Sequence, residues 1–193
     1  VATEFRQIQQ PKPNRFYVGI DVSATIDPGT LTDFKENVIL RLKNFIGDSA
    51  VSYQIDSFGN PGCDRNSIRR VLSTQSPKDD TAFKWEVENK LQRVAIAQIP
   101  SARSSAPLTT PLNYLLGEDV LPKWKGGRIL IFSDLMNDDS DCPRQNPFPE
   151  DVIKSFGENK EGQIIFLYPT PQLTNNPDLD KRILEKQQEF ITK

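Results

Sequence analysis

Histidine is absent from all 193 residues. That removes the usual general base, the Ser-His-Asp triad and the commonest zinc ligand together. A strong charge of either sign is lacking too. The formal net charge is -2 and the isoelectric point about 5.3, so no general attraction to nucleic acid or acidic lipid is expected. No apolar run approaches the roughly 20 residues that cross a bilayer, which argues against a transmembrane segment. No signal peptide is visible, and a start at Val1 rather than Met is compatible equally with a removed leader and with a trimmed chain. Cysteine is scarce: Cys63 and Cys142 stand alone in separate Pro- and Asp-rich loops. They are either two unrelated free thiols or one disulfide joining the loops. Their polar settings favour the disulfide, which would imply an oxidising compartment and an extracytoplasmic location.

What is present suffices for one soluble globular domain with a full core, since 36% of residues are hydrophobic and 26% charged. Residues 1–15 are polar, with Pro11 and Pro13, and read as an extended lead-in; residues 16–193 form the domain. Phe16 to Ile20 is an apolar run of the kind found in a strand buried on both faces. Thr30 is a plausible cap for a helix whose stripe is Leu31, Phe34, Val38, Leu42 and Phe45, ending near Gly47. Val51, Tyr53 and Ile55 alternate with Ser52, Gln54 and Asp56, as in a strand with one buried face. Ile68 to Ser73 suits the return limb of a hairpin at a sheet edge. Phe83, Val87, Leu91 and Val94 mark a second helix reaching about Pro100. After a small-residue loop, Pro111 opens a helix carrying Leu112, Leu115 and Leu116.

Arg128 to Phe132 is another buried strand, followed by Ser133-Asp134 and a polar loop with Asp138, Asp139 and Asp141. A short helix at 151–156, a strand at 164–168 and a closing helix with Leu179, Ile183, Leu184, Phe190 and Ile191 complete the chain. Trp85 and Trp124 read as helix-packing residues. Strands alternating with helices imply an α/β fold. The expected architecture is doubly wound: a mostly parallel sheet, helices on both faces and one antiparallel edge strand.

Such sheets bind ligands beyond the carboxyl ends of their strands. The first buried strand ends in Asp21-x-Ser23-x-Thr25, a loop offers Thr110 at a helix start, and the later buried strand leads to Asp134. Singly, the hydroxyls are better read as caps on loop amides and the carboxylates as helix caps. Jointly, the order of residue types on these elements points to a site for a hard cation. The pattern resembles the von Willebrand factor A domain and its metal-ion-dependent adhesion site, Asp-x-Ser-x-Ser followed by a Thr and then an Asp. The resemblance runs from about Phe16 to the last helix.

The resemblance implies that Ser23, Thr25 and Thr110 supply hydroxyl ligands and that Asp21 and Asp134 supply carboxylates, directly or through water. Thr110 is preferred to Thr109 because Pro-Leu follows it. Thr25 stands where the family commonly has Ser but keeps the hydroxyl, and the sixth strand usual in the family is not evident after Tyr168. The implied cofactor is Mg²⁺ (or Mn²⁺ or Ca²⁺), and the implied partner is a protein presenting a carboxylate to the metal. Asp138, Asp139 and Asp141 are better read as a solvated acidic loop than as an auxiliary cation site.

Three other readings compete. The first strand and Asp-Val-Ser-Ala-Thr are similar to the opening motif of haloacid-dehalogenase-like phosphatases, with Asp21 as nucleophile and Asp134 on magnesium. Ser23, however, stands where that family needs its acid/base Asp. Gly19-Ile20-Asp21-Val22 also resembles the phosphate-binding start of sugar-kinase and actin-like ATPases, which need about twice this length and a Gly at position 23. The third is a metal-independent scaffold whose site is vestigial. No general base is evident, so binding is favoured over catalysis.

Overall fold

The structure is a computed structural model describing residues 14–98, 112–137, 142, 144, 146–158, 162–169 and 177–192. β1 (Arg15–Asp21) is buried at every position but its first. Parallel partners flank both its edges, β2 (Ser52–Phe58) and β4 (Arg128–Phe132), and helices bury its apolar run on both faces. β5 (Gln163–Leu167) continues the parallel set beside β4, and β3 (Arg69–Gln75) lies antiparallel against β2. The sheet order is β3-β2-β1-β4-β5. β1 begins at Arg15, the last residue of the expected lead-in; residues 1–13 of that lead-in are outside the described residues.

Helices cover both faces. Phe16, Val18 and Ile20 pack against Leu31, Phe34, Val38 and Leu42 of the first helix, Pro28–Lys43, and against Phe83, Val87 and Leu91 of the second helical segment. On the other face Tyr17, Ile129 and Ile131 meet Leu112, Leu115, Leu116 and Val120 of a third segment, together with Phe156 of the helix Glu150–Glu158. Trp124 closes this core against Tyr17, ring centroids 5.5 Å apart. The closing helix, Pro177–Thr192, brings Phe190 onto Phe166 and Phe148. This is the doubly wound α/β architecture, with its antiparallel strand at one edge.

Several local expectations are corrected. The first helix is capped by Asp27, not Thr30: the Asp27 carboxylate accepts from the Gly29 and Thr30 amides at 2.9 and 3.0 Å. Pro28 then occupies the first turn, where a missing N–H costs nothing. The second segment ends at Gln92 rather than near Pro100, after α-helical turns at Asp80–Phe83 and Asn89–Gln92 flanking a π-helical stretch, Lys84–Glu88. Beyond it the Ala97 amide turns to the Val22 carbonyl at 2.7 Å, a bond that a continuing helix would forbid. Trp85 is 69% exposed. It lies two positions from both Phe83 and Val87, which places it on the far side of the helix from the core.

Asp56 is buried rather than facing water, because Arg70 of β3 reaches it at 2.5 Å and the Gln54 amide donates to it at 2.8 Å. In the closing helix the inward stripe is Ile183, Gln187 and Phe190; Leu184 and Ile191 are exposed, and the Leu179 side chain is outside the described residues. No described helix is long and apolar enough to cross a membrane.

Cys63 and Cys142 are joined in a disulfide, Cα atoms 5.7 Å apart and 79 residues apart in sequence. The bridge ties the loop between β2 and β3 to the one that follows β4. A cross-link closing so long a loop removes much entropy from the unfolded chain. Replacing both cysteines by serine is expected to lower unfolding free energy by about 2–4 kcal/mol, read as a lower denaturation midpoint with an unchanged native far-ultraviolet spectrum.

Candidate metal centre

The paired register of β1 and β4 ends at Ile20 opposite Phe132, so the next residues, Asp21 and Ser133, emerge side by side at the carboxyl tips. The backbone stays pinned past the ladder. The Val22 amide donates to the Phe58 carbonyl at 2.9 Å, and that of Ser133 to the Leu167 carbonyl at 3.1 Å. The Ser133 hydroxyl, fully buried, donates to Asp21 Oδ2 at 2.6 Å and accepts from the Leu135 amide at 3.0 Å. Asp21 Oδ1 accepts from the Ser23 amide at 2.9 Å.

Asp134 follows one residue later and is 9% exposed, against 3% for Asp21. Its Oδ1 accepts from the Met136 amide at 3.0 Å, and the Thr25 hydroxyl hydrogen-bonds the same carboxylate. Leu135, between them, adopts φ 63° with its side chain buried, a left-handed turn that folds the chain back around Asp134. From the closing helix, Gln187 Nε2 donates to the Asp134 carbonyl at 3.2 Å and the Pro169 carbonyl at 3.3 Å.

Ser23 Oγ and Thr25 Oγ1 lie 3.0 Å apart, within hydrogen-bonding distance, on the loop leaving β1. Gly59 packs beneath it at φ 81°. A β-carbon there would sit 2.8 Å from both Asp21 Oδ1 and the Ser23 amide, so only glycine fits. Four of the five residues expected as ligands, Asp21, Ser23, Thr25 and Asp134, are thus brought together. Thr110, with the alternative Thr109, lies outside the described residues, as do Asp138, Asp139 and Asp141. In the helical segment that begins at Leu112, the Asn113 amide donates to Asn137 Oδ1 at 2.9 Å. Sequence reasoning missed Ser133, Gly59 and Gln187. Ser133 had a local signal, a hydroxyl directly ahead of Asp134.

Electrostatically the pair is unbalanced. Burial pushes Asp21 up to about 7, the Asp134 charge adds to this, and the hydrogen bonds from Ser133 and Ser23 only partly oppose it. Asp134 is likewise raised by burial, against the opposing bonds from Thr25 and Met136. Two desolvated carboxylates with hydroxyls beside them are a donor set for a hard divalent cation, whose charge would cancel theirs. Among the described residues no group of three His, Cys, Asp or Glu side chains forms a metal cluster. The set is two carboxylates and neutral hydroxyls.

No family model matches the chain, and no curated protein does. Solved structures do. A pilus adhesin, SpaC from Lactobacillus rhamnosus GG in an open conformation, matches 93% of this chain with TM-score 0.53 and 11% identity. A second structure of that adhesin matches the same share at TM-score 0.50 and 12% identity. A von Willebrand factor type A protein from Catenulispora acidiphila matches 92% of the chain at TM-score 0.49 and 14% identity. The chain spans 27% of the adhesin's length and 42% of the latter protein's. The likeness is one of fold.

Asp21 links the site to stability. Its folded value, about 7, lies above the ordinary 3.8, so the folded state binds the extra proton. The stability this gives is fully present below about pH 4 and is lost as pH rises through 7. Without metal, the wild type should therefore weaken from pH 4 to 8. Asp21→Asn should be the more stable protein at pH 8 by roughly 4 kcal/mol, with the gap closing toward pH 4. Chemical denaturation in EDTA across that range checks it; a constant gap would contradict the assignment.

Proposed function

We propose that this chain is a von Willebrand A-like module that binds a protein partner through a divalent cation, with Mg²⁺ the first candidate and Mn²⁺ or Ca²⁺ the others. Asp21, Ser23, Thr25 and Asp134 would hold the ion, with Thr110 as the fifth ligand. The observation that carries this reading is the pair of buried, mutually repelling carboxylates, with two hydroxyls beside them. The cation would supply the missing positive charge and a Lewis-acidic position for a carboxylate of the partner. The protein's part is to fix the donors. Ser133 holds Asp21 in place, and Gln187 and the Leu135 turn hold Asp134. The SpaC likeness is compatible with an adhesive role, and the disulfide with an oxidising, extracytoplasmic setting.

A phosphatase reading is disfavoured by the same geometry. Both Asp21 oxygens accept hydrogen bonds, Oδ1 from the Ser23 amide and Oδ2 from Ser133, which lowers the reactivity of the carboxylate as a nucleophile. Ser23 also supplies no acid/base in place of the second aspartate that chemistry requires. We read the chain as non-enzymatic.

The test is a thermal melt titrated with Mg²⁺ and Mn²⁺, beside EDTA and beside Asp134→Ala. A ligand that binds only the folded state stabilises it by about 2.7 kcal/mol at a hundredfold excess over its dissociation constant. The wild type should show that gain at pH 8, the variant should not, and the gain should shrink as pH falls through 7 and Asp21 takes up its proton. Absence of any shift at millimolar metal would leave a metal-independent scaffold.

A further inference from the structure

A cleft of about 840 Å³ opens between the start of β3 and the segment leaving the second helix. Arg69, Arg70, Lys90 and Arg93 border it, and no aspartate or glutamate does. Arg70 is engaged by the buried Asp56. Arg69, Lys90 and Arg93 are exposed and have no ion-pair partner among the described residues. On a chain whose net charge is -2, three cations without an ion-pair partner among the described residues, gathered around one concavity, are a local concentration of positive potential. Residues 99–111, which follow Gln98 at the cleft's end, contain Arg103 and no acidic residue, so they bring no neutralising charge. The cleft also has an apolar component, Val71, Val94 and Ile96, continuous with the core beneath.

This cleft adjoins the carboxylate pair. Ala97, in its wall, donates its amide to the carbonyl of Val22, the residue after Asp21. Asn60 and Pro61, on its rim, directly follow Gly59, which packs against Asp21. β3 lies at the end of the sheet order, and its outer edge pairs with no other described strand.

We propose that the cleft receives an acidic segment of the partner protein, its carboxylates paired with Arg69, Lys90 and Arg93 and its apolar side chains on Val71, Val94 and Ile96. The proposal builds on the reading of the adjoining strand tips as a partner site, and gives that partner a second anchoring feature. A short peptide with mixed acidic and apolar side chains suits the cleft better than nucleic acid does. A polyanion requires an extended basic track, and the rest of this acidic chain opposes it. Exposed cations at a rim act mainly on encounter rate and salt dependence, so the contribution should fade as salt rises.

The experiment is fluorescence anisotropy with a fluorescein-labelled octapeptide alternating Glu and Val, run with Mg²⁺ and with EDTA. A peptide carrying Gln for each Glu, and a short duplex DNA, serve as controls. The variant is Arg69→Gln with Arg93→Gln, both surface positions away from the metal ligands; Arg70 is kept because removing it would strand Asp56. The wild type should bind the Glu peptide in both buffers and ignore the Gln peptide. The double variant should weaken binding about tenfold in both buffers while keeping the wild-type Mg²⁺ melting shift.

Equal affinity in wild type and variant, or no binding by the wild type, would overturn the proposal. DNA binding as tight as the peptide's, and equally sensitive to the variant, would replace the acidic peptide with nucleic acid. A tenfold loss in a protein whose melt ignores Mg²⁺ would uphold the cleft and sink the cation reading, so the two fail separately.

Discussion

Two carboxylates share almost no water at the tips of neighbouring strands, and much of the local structure holds them there. A buried anion beside another is costly, and the fold meets that cost only in part, with hydrogen bonds from Ser133, the Ser23 amide, Thr25 and the Met136 amide. The sheet order creates the situation. Because β1 lies between β2 and β4, residues more than a hundred apart in sequence arrive side by side with their backbone already committed to ladder bonds. The loops then have little freedom left. Gly59 must lack a side chain, and Leu135 must turn left-handed while burying its own.

The rim carries opposite signs at close quarters. The strand tips concentrate negative charge, and the start of β3 with the exit from the second helix concentrates positive charge. Internal pairing explains why the two do not simply cancel. Arg70 is drawn through the edge of the sheet to Asp56, and on the other face Asp119 is held by Arg65 and Lys123. The Asp56 pair takes Arg70 out of play at the cleft, and among the described residues no cationic side chain pairs with Asp21 or Asp134.

What was legible in the sequence follows from how local each cause is. The run Phe16 to Ile20 announces a central strand because a strand covered on both faces needs apolar residues at every position. The stripe Leu31, Phe34, Val38 and Leu42 likewise needs only helical spacing to predict its burial. Where the decisive partner is distant, the sequence misleads or is silent. Asp56 looks like a solvent-facing residue until Arg70 is brought beside it. Trp85 is a different case, since its spacing from Phe83 and Val87 already put it off the buried stripe. The motif of Asp21, Ser23, Thr25 and Asp134 was readable because residue type and element suffice. The supports, Ser133 on Asp21 and Gln187 on Asp134, depend on strand register and on a helix 53 residues away. No short window contains either.

The disulfide encloses β3, the second and third helical segments and β4 within one covalent ring. A single backbone cut anywhere between Cys63 and Cys142 would therefore nick the chain without releasing either half. β1 and β2 lie on one arm and β5 on the other, so a clipped molecule would keep all five strands tethered. Only proteolysis followed by reduction would separate them.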